Sequence, residues 1–205
     1  MKTSGYLLLV VFVGLSIAGC ENNEPIVKET VVGEGPVITV DLSLPPFSEI
    51  VSTGVANFYI DTWSTQSVIV KVQDNIMNAM TYRVVDETLE VGLKKNVSIE
   101  NYEEIRFNIT IPSISSITLA GVGNFELSGG YQDELTINLT GVGDVKAYGL
   151  RVGTCTITST GVGNCQVHVL DVLDVTITGI GNVYYRGDPT ITSSITGLGQ
   201  LIDSN

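Results

Sequence analysis

Two groups of charged side chains stand close enough in the sequence to raise the question of catalysis: Glu103, Glu104 and Arg106, and then Asp171, Asp174, Arg186 and Asp188. A carboxylate beside another carboxylate or a basic group is what cleavage of a sugar polymer requires, one group supplying a proton while the other attacks or activates water. His168 is the sole histidine, and it falls on an outward position three residues after Cys165. No Ser-x-x-Lys, Gly-x-Ser-x-Gly or His-Glu-x-x-His pattern accompanies it. Both charge groups fall in expected loops or strand edges, where charges are ordinarily solvated. No catalytic residue is assigned on this basis, and the chain is read as non-enzymatic.

A second chemistry is raised by a phrase that recurs five times. It runs Gly121-Val-Gly123-Asn124, Gly141-Val-Gly143-Asp144, Gly161-Val-Gly163-Asn164, Gly179-Ile-Gly181-Asn182 and Gly197-Leu-Gly199-Gln200. Glycine-rich loops can cradle phosphate, but the third glycine of G-x-G-x-x-G is missing and no helical pattern follows. Calcium-binding repeats need a residue between Gly and Asp and a nine-residue period, and neither is present. Asp144 is the only carboxylate in the series, so no metal site and no cofactor are assigned.

The spacing of the phrase explains it better than ligand chemistry does. Its first glycines stand at 121, 141, 161, 179 and 197, a period near twenty that points to stacked supersecondary units. Around each phrase apolar residues alternate with polar ones, as in Ile117 and Leu119 before it and Phe125 after it. A period of two on both sides means two short strands per unit, each with one face buried. The phrase is then the bend between them, with glycines free to take positive φ and Asn or Asp tolerant of the left-handed region. On this reading Gly141 sits at positive φ, and the Val, Ile or Leu between the glycines plugs the core. Asn124, Asp144, Asn164, Asn182 and Gln200 form a ladder along one edge that satisfies corner backbone groups. One unit cannot bury itself, so strands of successive units pair about 4.8 Å apart into a solenoid.

The chain before the repeats supplies the anchor and the start of the fold. Met1 to Cys20 carries Lys2, an apolar run from Tyr6 to Val13, and the ending Ile17-Ala-Gly-Cys20. That is a secretory leader too short to span a bilayer, and its end resembles the bacterial lipobox, which implies cleavage before Cys20 and lipidation of that residue. Residues 20–36 read as a polar tether without structure of its own. The acidic residues after Cys20 resemble the surface-export tag of Bacteroidetes lipoproteins, so an outer-membrane or cell-surface location is expected. From Val37 to Pro112 seven β-rich segments follow, separated by turn formers, with a helical turn only between Asp74 and Met80. Gly54-Val-Ala56-Asn57 is a decayed copy of the later phrase, which favours one domain over residues 37–205.

These residues carry a family resemblance. Phe47-Ser-Glu-Ile50, the decayed Gly54 phrase, the strand ending Leu89-Glu-Val91, and Ile109-Thr-Ile-Pro112-Ser-Ile114 leading into Gly121-Val-Gly-Asn124 together resemble the putative auto-transporter adhesin, head GIN domain family (domain of unknown function 2807). The likeness spans about Val37 to Leu201. It implies an all-β fold, a right-handed parallel β-helix with irregular longer coils in the N-terminal half, on a secreted or lipid-anchored bacterial protein. It brings no established activity.

Charge narrows the partners. The formal net charge is −12, and removing the leader takes away only Lys2 among the charged residues. Nucleic acid is thereby excluded as a partner, and contact with the membrane is expected through the lipid alone. Cys155 and Cys165 align with buried positions of neighbouring units and read first as buried free thiols, with a disulfide across the coil as the alternative. Two functions remain. One is a binding module for a glycan, matrix component or protein, using Tyr59, Trp63, Tyr148 and Tyr184 if they share a surface. The other is a carbohydrate-active enzyme, with envelope scaffolding behind both; the oligomeric state is open.

Overall fold

The computed structural model describes residues 29–63 and 65–205 of the 205-residue chain. Cys20, the leader and the first part of the expected tether lie outside the described residues. Sixteen strands and one short helix follow in order: β1 (Glu29–Val32), β2 (Val37–Asp41), β3 (Glu49–Ser52), β4 (Asn57–Thr62), β5 (Ser67–Gln73), α1 (Asp74–Met77), β6 (Met80–Val85), β7 (Thr88–Leu93), β8 (Val97–Glu100), β9 (Arg106–Ile111), β10 (Ser116–Leu119), β11 (Phe125–Leu139), β12 (Val145–Ser159), β13 (Cys165–Ile177), β14 (Val183–Arg186), β15 (Thr190–Ile195) and β16 (Leu201–Asp203). The fold is all-β, and its main sheet of 14 strands is curled.

Two ladders share the long strands. On one side β9, β4, the first part of β11, then β12, β13, β14 and β16 pair in parallel. On the other, β7, β3, β10, the last part of β11, then β12, β13 and β15 do the same. Between the ladders the chain bends twice per coil. The glycine phrase makes one bend, where Val55, Val122, Val142, Val162, Ile180 and Leu198 bridge in sequence. The second bend is a run of register shifts, between Ser128 and Tyr131 in β11 and between Ala147 and Arg151 in β12. The expected pair of strands per unit is therefore a single bent strand in three coils, because backbone pairing with the neighbouring coil continues through the bulge.

Inward residues make one core. Phe107, Phe58 and Phe125 stack in register, with ring centroids 5.0 and 4.5 Å apart. Val145, Cys165 and Val183 continue that column, each fully or almost fully buried. Equivalent positions stacking on equivalent positions is what a parallel in-register ladder imposes. Burying one such aliphatic side chain is worth about 1.5–3 kcal/mol, so the column is a main source of stability.

Three expectations change. The segment expected to be an unstructured tether includes β1, which pairs in parallel with β8 through Glu29↔Val97 to Val32↔Glu100. Spatial order also departs from chain order in the N-terminal half. The coil β3–β4 is inserted between later segments: β3 lies between β7 and β10, and β4 between β9 and β11. Antiparallel pairs β2–β5, β5–β9 and β6–β7 finish that end. Finally, the residues between the glycines do not plug the core. Val122, Val142, Val162, Ile180 and Leu198 are 45 to 74% exposed and form an apolar ridge along the bend.

Candidate binding surface

Each glycine of the phrase has its own steric reason. Gly143 has φ +144°, a region L side chains rarely enter, and a Cβ there would run into the carbonyl oxygen of Gly123. Gly141 is not at positive φ, contrary to expectation. It is glycine because a Cβ would meet the Gly121 carbonyl oxygen of the preceding coil, whose approach is set by the Val142 N–H donating to Gly121 O at 2.9 Å. The decayed first copy fits beneath: Ala56 takes the place of a second glycine, and its carbonyl is what a Cβ on Gly123 would strike.

The polar residue closing each phrase stands in one column. Asn57 Oδ1 accepts the Asn124 N–H at 3.0 Å, Asn124 Oδ1 accepts from Asp144 at 2.9 Å, and Asp144 Oδ1 accepts from Asn164 at 2.8 Å. Asn164 and Asn182 then accept from Asn182 and Gln200, both at 2.9 Å. Every link joins a side-chain oxygen to the next coil's backbone N–H. Among the described residues no group of three His, Cys, Asp or Glu could hold a metal ion.

Past the ladder lies the outer surface of the first sheet. The residue five positions after each first glycine is Tyr59, Glu126, Lys146, Gln166, Tyr184 or Ile202, and the strand registers set all six side by side. Tyr59 and Tyr184 are therefore four strand steps apart, about 19 Å. Two guanidinium groups lie on tyrosine rings of this surface: Arg106 Cζ is 3.6 Å from the Tyr59 centroid, and Arg186 Cζ is 4.2 Å from that of Tyr148. Such stacking orients the cation while leaving its in-plane N–H groups to point elsewhere. Glu104 accepts from Asn57 Nδ2 at 3.0 Å and Tyr59 Oη at 3.4 Å, and Arg106 Nε donates to Asn108 Oδ1 at 3.0 Å. Asn182 Nδ2 donates to Tyr184 Oη at 3.1 Å. A shallow recess beside the ladder is lined by Asp144, Lys146, Asn164, Gln166 and Tyr184.

Cations concentrate here. Lys71 and Arg106 are register partners, as are Arg151, His168 and Arg186 in turn, and Lys146 lies on the same strand as Arg151, in register between Glu126 and Gln166. The one ion pair among the described residues is Arg83 with Glu90, at 2.7 Å on the opposite sheet. Among the described residues the five cations Lys71, Arg106, Lys146, Arg151 and Arg186 thus have no carboxylate within ion-pair distance.

The structure divides the sequence candidates. Tyr59, Tyr148 and Tyr184 share the first sheet's outer surface, and Trp63, 69% exposed, follows the end of β4. Glu104 and Arg106 meet at Tyr59, whereas the Glu103 backbone is tied to Gln73 instead. The second charge group is dispersed: Asp174 pairs with Thr156 and Thr192 on the other sheet, and Arg186 lies over Tyr148. Asp171 stands by Tyr131, whose hydroxyl is held above its ordinary value by local desolvation and by Asp133 and Asp171. Sequence reasoning missed the two Arg–Tyr stacks. Counting five residues from each first glycine would have aligned Tyr59 with Tyr184, whereas the shift after Ala147 puts Arg151 rather than Tyr148 opposite His168 and hides the Tyr148–Arg186 stack from a count.

Cys155 and Cys165 are both free and buried. Burial pushes the Cys155 thiol strongly up, with Cys165 adding to it, and pushes Cys165 up to about 12, with Asp144 adding to it. Neither thiol is a nucleophile in the folded state.

The class the fold defines is an all-β protein whose parallel ladders carry side chains on regular outer surfaces. Residues 46–140 and 116–189 match the family described as "Putative auto-transporter adhesin, head GIN domain", and the chain belongs to that family. Among curated proteins none matches. A solved structure described as a "putative adhesin" from Bacteroides fragilis NCTC 9343 is similar in fold, with TM-score 0.59 and 21% identity, over 85% of this chain and 100% of that one. More distant are a "putative adhesin" from Parabacteroides merdae ATCC 43184 (TM-score 0.47, 19% identity, 86% of this chain and 100% of that one) and a "putative lipid binding protein" from Parabacteroides distasonis ATCC 8503 (TM-score 0.44, 15% identity, again 86% and 100%). The last two superpose too loosely to add to the argument.

Proposed function

We propose that this chain is a non-catalytic binding module, held at the cell surface through lipid on Cys20, whose aromatic and cationic sheet surface takes an acidic glycan. The observation that carries the reading is the pairing of Tyr59 with Arg106 and Tyr148 with Arg186 on one surface where five cations have no carboxylate partner among the described residues. In a chain of net charge −12, cations left unpaired on one sheet are available to an anion from outside. Sugar rings present apolar C–H groups to exposed aromatic faces such as that of Trp63, while their carboxylate or sulfate groups suit the fixed planes of arginine. The adhesin description of the family favours binding over turnover. The coils themselves are proposed to wind as a right-handed parallel β-helix, the hand that parallel crossovers overwhelmingly take. The Asn and Asp ladder and its glycines are read as structural parts of that winding, and the lipid anchor as the contact with an outer membrane.

The full chain, kept in non-ionic detergent, should be tested on a glycan array containing neutral, uronate-bearing and sulfated polymers. Binding confined to the acidic members, and weakened as salt rises from 50 to 500 mM, is expected, since exposed charge contacts are screened over about 10 Å at 0.1 M. Binding to neutral glycans with no salt dependence would transfer the role from the cations to the aromatic rings. No binding to any glycan would leave scaffolding as the better account.

A further inference from the structure

The coil made by β15, the bend at Leu198 and β16 differs from those before it. Its strands pair on one side only: β15 with β13, and β16 with β14. Ile191 and Ile195 occupy the inward positions held one coil earlier by Leu173 and Ile177, which are 0% exposed, yet both isoleucines are 38% exposed. They point into the core column, and among the described residues no strand lies above them. The outer edges of β15 and β16 also present unpaired backbone donors and acceptors, which natural proteins usually protect with charges, proline or a cover.

Among the described residues nothing covers this edge, and its only charge is Asp203 at the end of β16. From Pro189 to Ile202 there is not one charged residue, in a chain with 22 acidic and 10 basic ones. Every coil before it carries charge: Glu126 and Asp133, then Lys146 and Arg151, then Asp171 and Asp174. Two copies of an acidic molecule repel over most of their surfaces, and here they do not.

We infer that the rung from Thr190 to Asp203, charged only at Asp203 at its very end, docks against the same rung of a second copy, forming a closed two-fold dimer. A two-fold axis crossing both sheets sets β15 antiparallel to the partner's β15 and β16 antiparallel to the partner's β16. Both sheets then continue across the junction, and Ile191 and Ile195 are covered by their equivalents. Such an interface is isologous and uses the patch on both sides, so assembly stops at two. Head-to-tail stacking, which would go on into filaments, finds no match: the other end is finished by β2 and β6, whose pairings are antiparallel and which carry Asp41 and Arg83. One rung is smaller than the roughly 20–30 residues a side of standard interfaces, so the dimer forms in the micromolar range. The axis also brings the two Tyr–Arg surfaces onto the same side as one longer surface. That consequence rests on the proposed glycan role, but the dimer does not.

Sedimentation equilibrium of the full chain in non-ionic detergent, over a concentration series, tests the inference. Ser193 lies inward at the middle of the self-paired strand, in register with Val175. Ser193→Lys and Ser193→Asp should each weaken self-association about tenfold or more, because like charges meet across the axis. An equimolar mixture of the two should restore it. A wild-type monomer up to about 100 μM, a series growing beyond the dimer, or a dimer that both variants leave intact would overturn the proposal; the last outcome would assign association to another part of the chain. If either variant fails to fold by circular dichroism, amide exchange on the wild type decides instead. Protection of Thr190–Ile195 must rise with protein concentration, and constant protection refutes the dimer.

Discussion

The two sheets of this molecule share strands, core and bend, yet their outer surfaces have little in common. One presents Tyr59, Glu126, Lys146, Gln166 and Tyr184 across its strands, with two arginines laid on tyrosines. The other presents Thr118, Asn138, Thr158, Thr176 and Ser194 in one row, with Ser116, Thr136, Thr156, Asp174 and Thr192 beside it. The inward rows are equally apolar. Threonine is what a pleated, half-buried surface takes when nothing else is asked of it. Tyrosine and arginine on the opposite surface are not explained by the fold, and that difference is why binding is proposed for that sheet and not the other.

The largest effect should come where the two sheets cannot be separated. Gly143→Val places a β-branched residue at φ +144° and drives its Cβ against the Gly123 carbonyl, so the ladders on both sides must shift. A loss of about 3 kcal/mol in urea unfolding is expected, still in one transition. Two transitions would show that the sheets are independent units, and unchanged stability would refute the account of the bend.

The cysteines report on the sheets one at a time. Cys155 lies beneath the threonine surface, between Leu135 and Leu173, and Cys165 beneath the tyrosine surface, between Val145 and Val183. Both thiols hold their protons more tightly folded than unfolded, Cys165 up to about 12 against 9.0 for a free thiol. The stability this contributes is complete below pH 9 and is lost as pH rises from 9 toward 12, since only the unfolded chain ionises readily there. Urea midpoints between pH 8 and 11 should fall, and Cys165→Val should flatten that fall. At pH 8 both cysteines should resist alkylation equally; faster labelling of one would identify the sheet that opens first.

A smaller effect separates the outer surfaces directly. Tyr148→Ala removes the platform under Arg186 and should weaken binding of an acidic polysaccharide about tenfold, the loss of roughly 1.4 kcal/mol in one contact. Thr156→Ala, outward on the other sheet, should leave that affinity unchanged. Equal losses from both variants would remove the distinction between the surfaces.

Much of the architecture was legible in the repeat. Positions counted from the first glycine gave the inward rows and the neighbours of Cys155 and Cys165, because parallel in-register pairing makes sequence offset and spatial column the same thing. The threading of β3 and β4 between later strands was not legible. It depends on Phe58 meeting both Phe107 and Phe125, a contact between distant segments that no local pattern encodes. The Arg186–Tyr148 stack was hidden for another reason: the bulge after Ala147 shifts register, so that His168 faces Arg151 and a simple count fails. Glu29–Val32 read as tether because four residues of modest polarity show no period by themselves.

The seam between the sheets gives the smallest effect and the sharpest reading. A residue flanked by two glycines and repeated as Val, Val, Val, Ile and Leu looks like a core plug, because aliphatic side chains kept at one position usually pack inward. The geometry allows otherwise. At this bend the flanking glycines lie against the coil behind, and the side chain between them turns outward, leaving Val142 50% exposed. Val142→Thr should therefore cost less than about 0.5 kcal/mol, since the added hydroxyl meets water and little apolar contact is lost. A plug in the same place would cost several times more, because a buried hydroxyl without a partner is penalised by about 1–3 kcal/mol. Urea midpoints of this variant and of Val145→Thr, three residues on at 1% exposure, form the comparison. A near-neutral first and a costly second would make the ridge part of the outer surface, while equal costs would return it to the core.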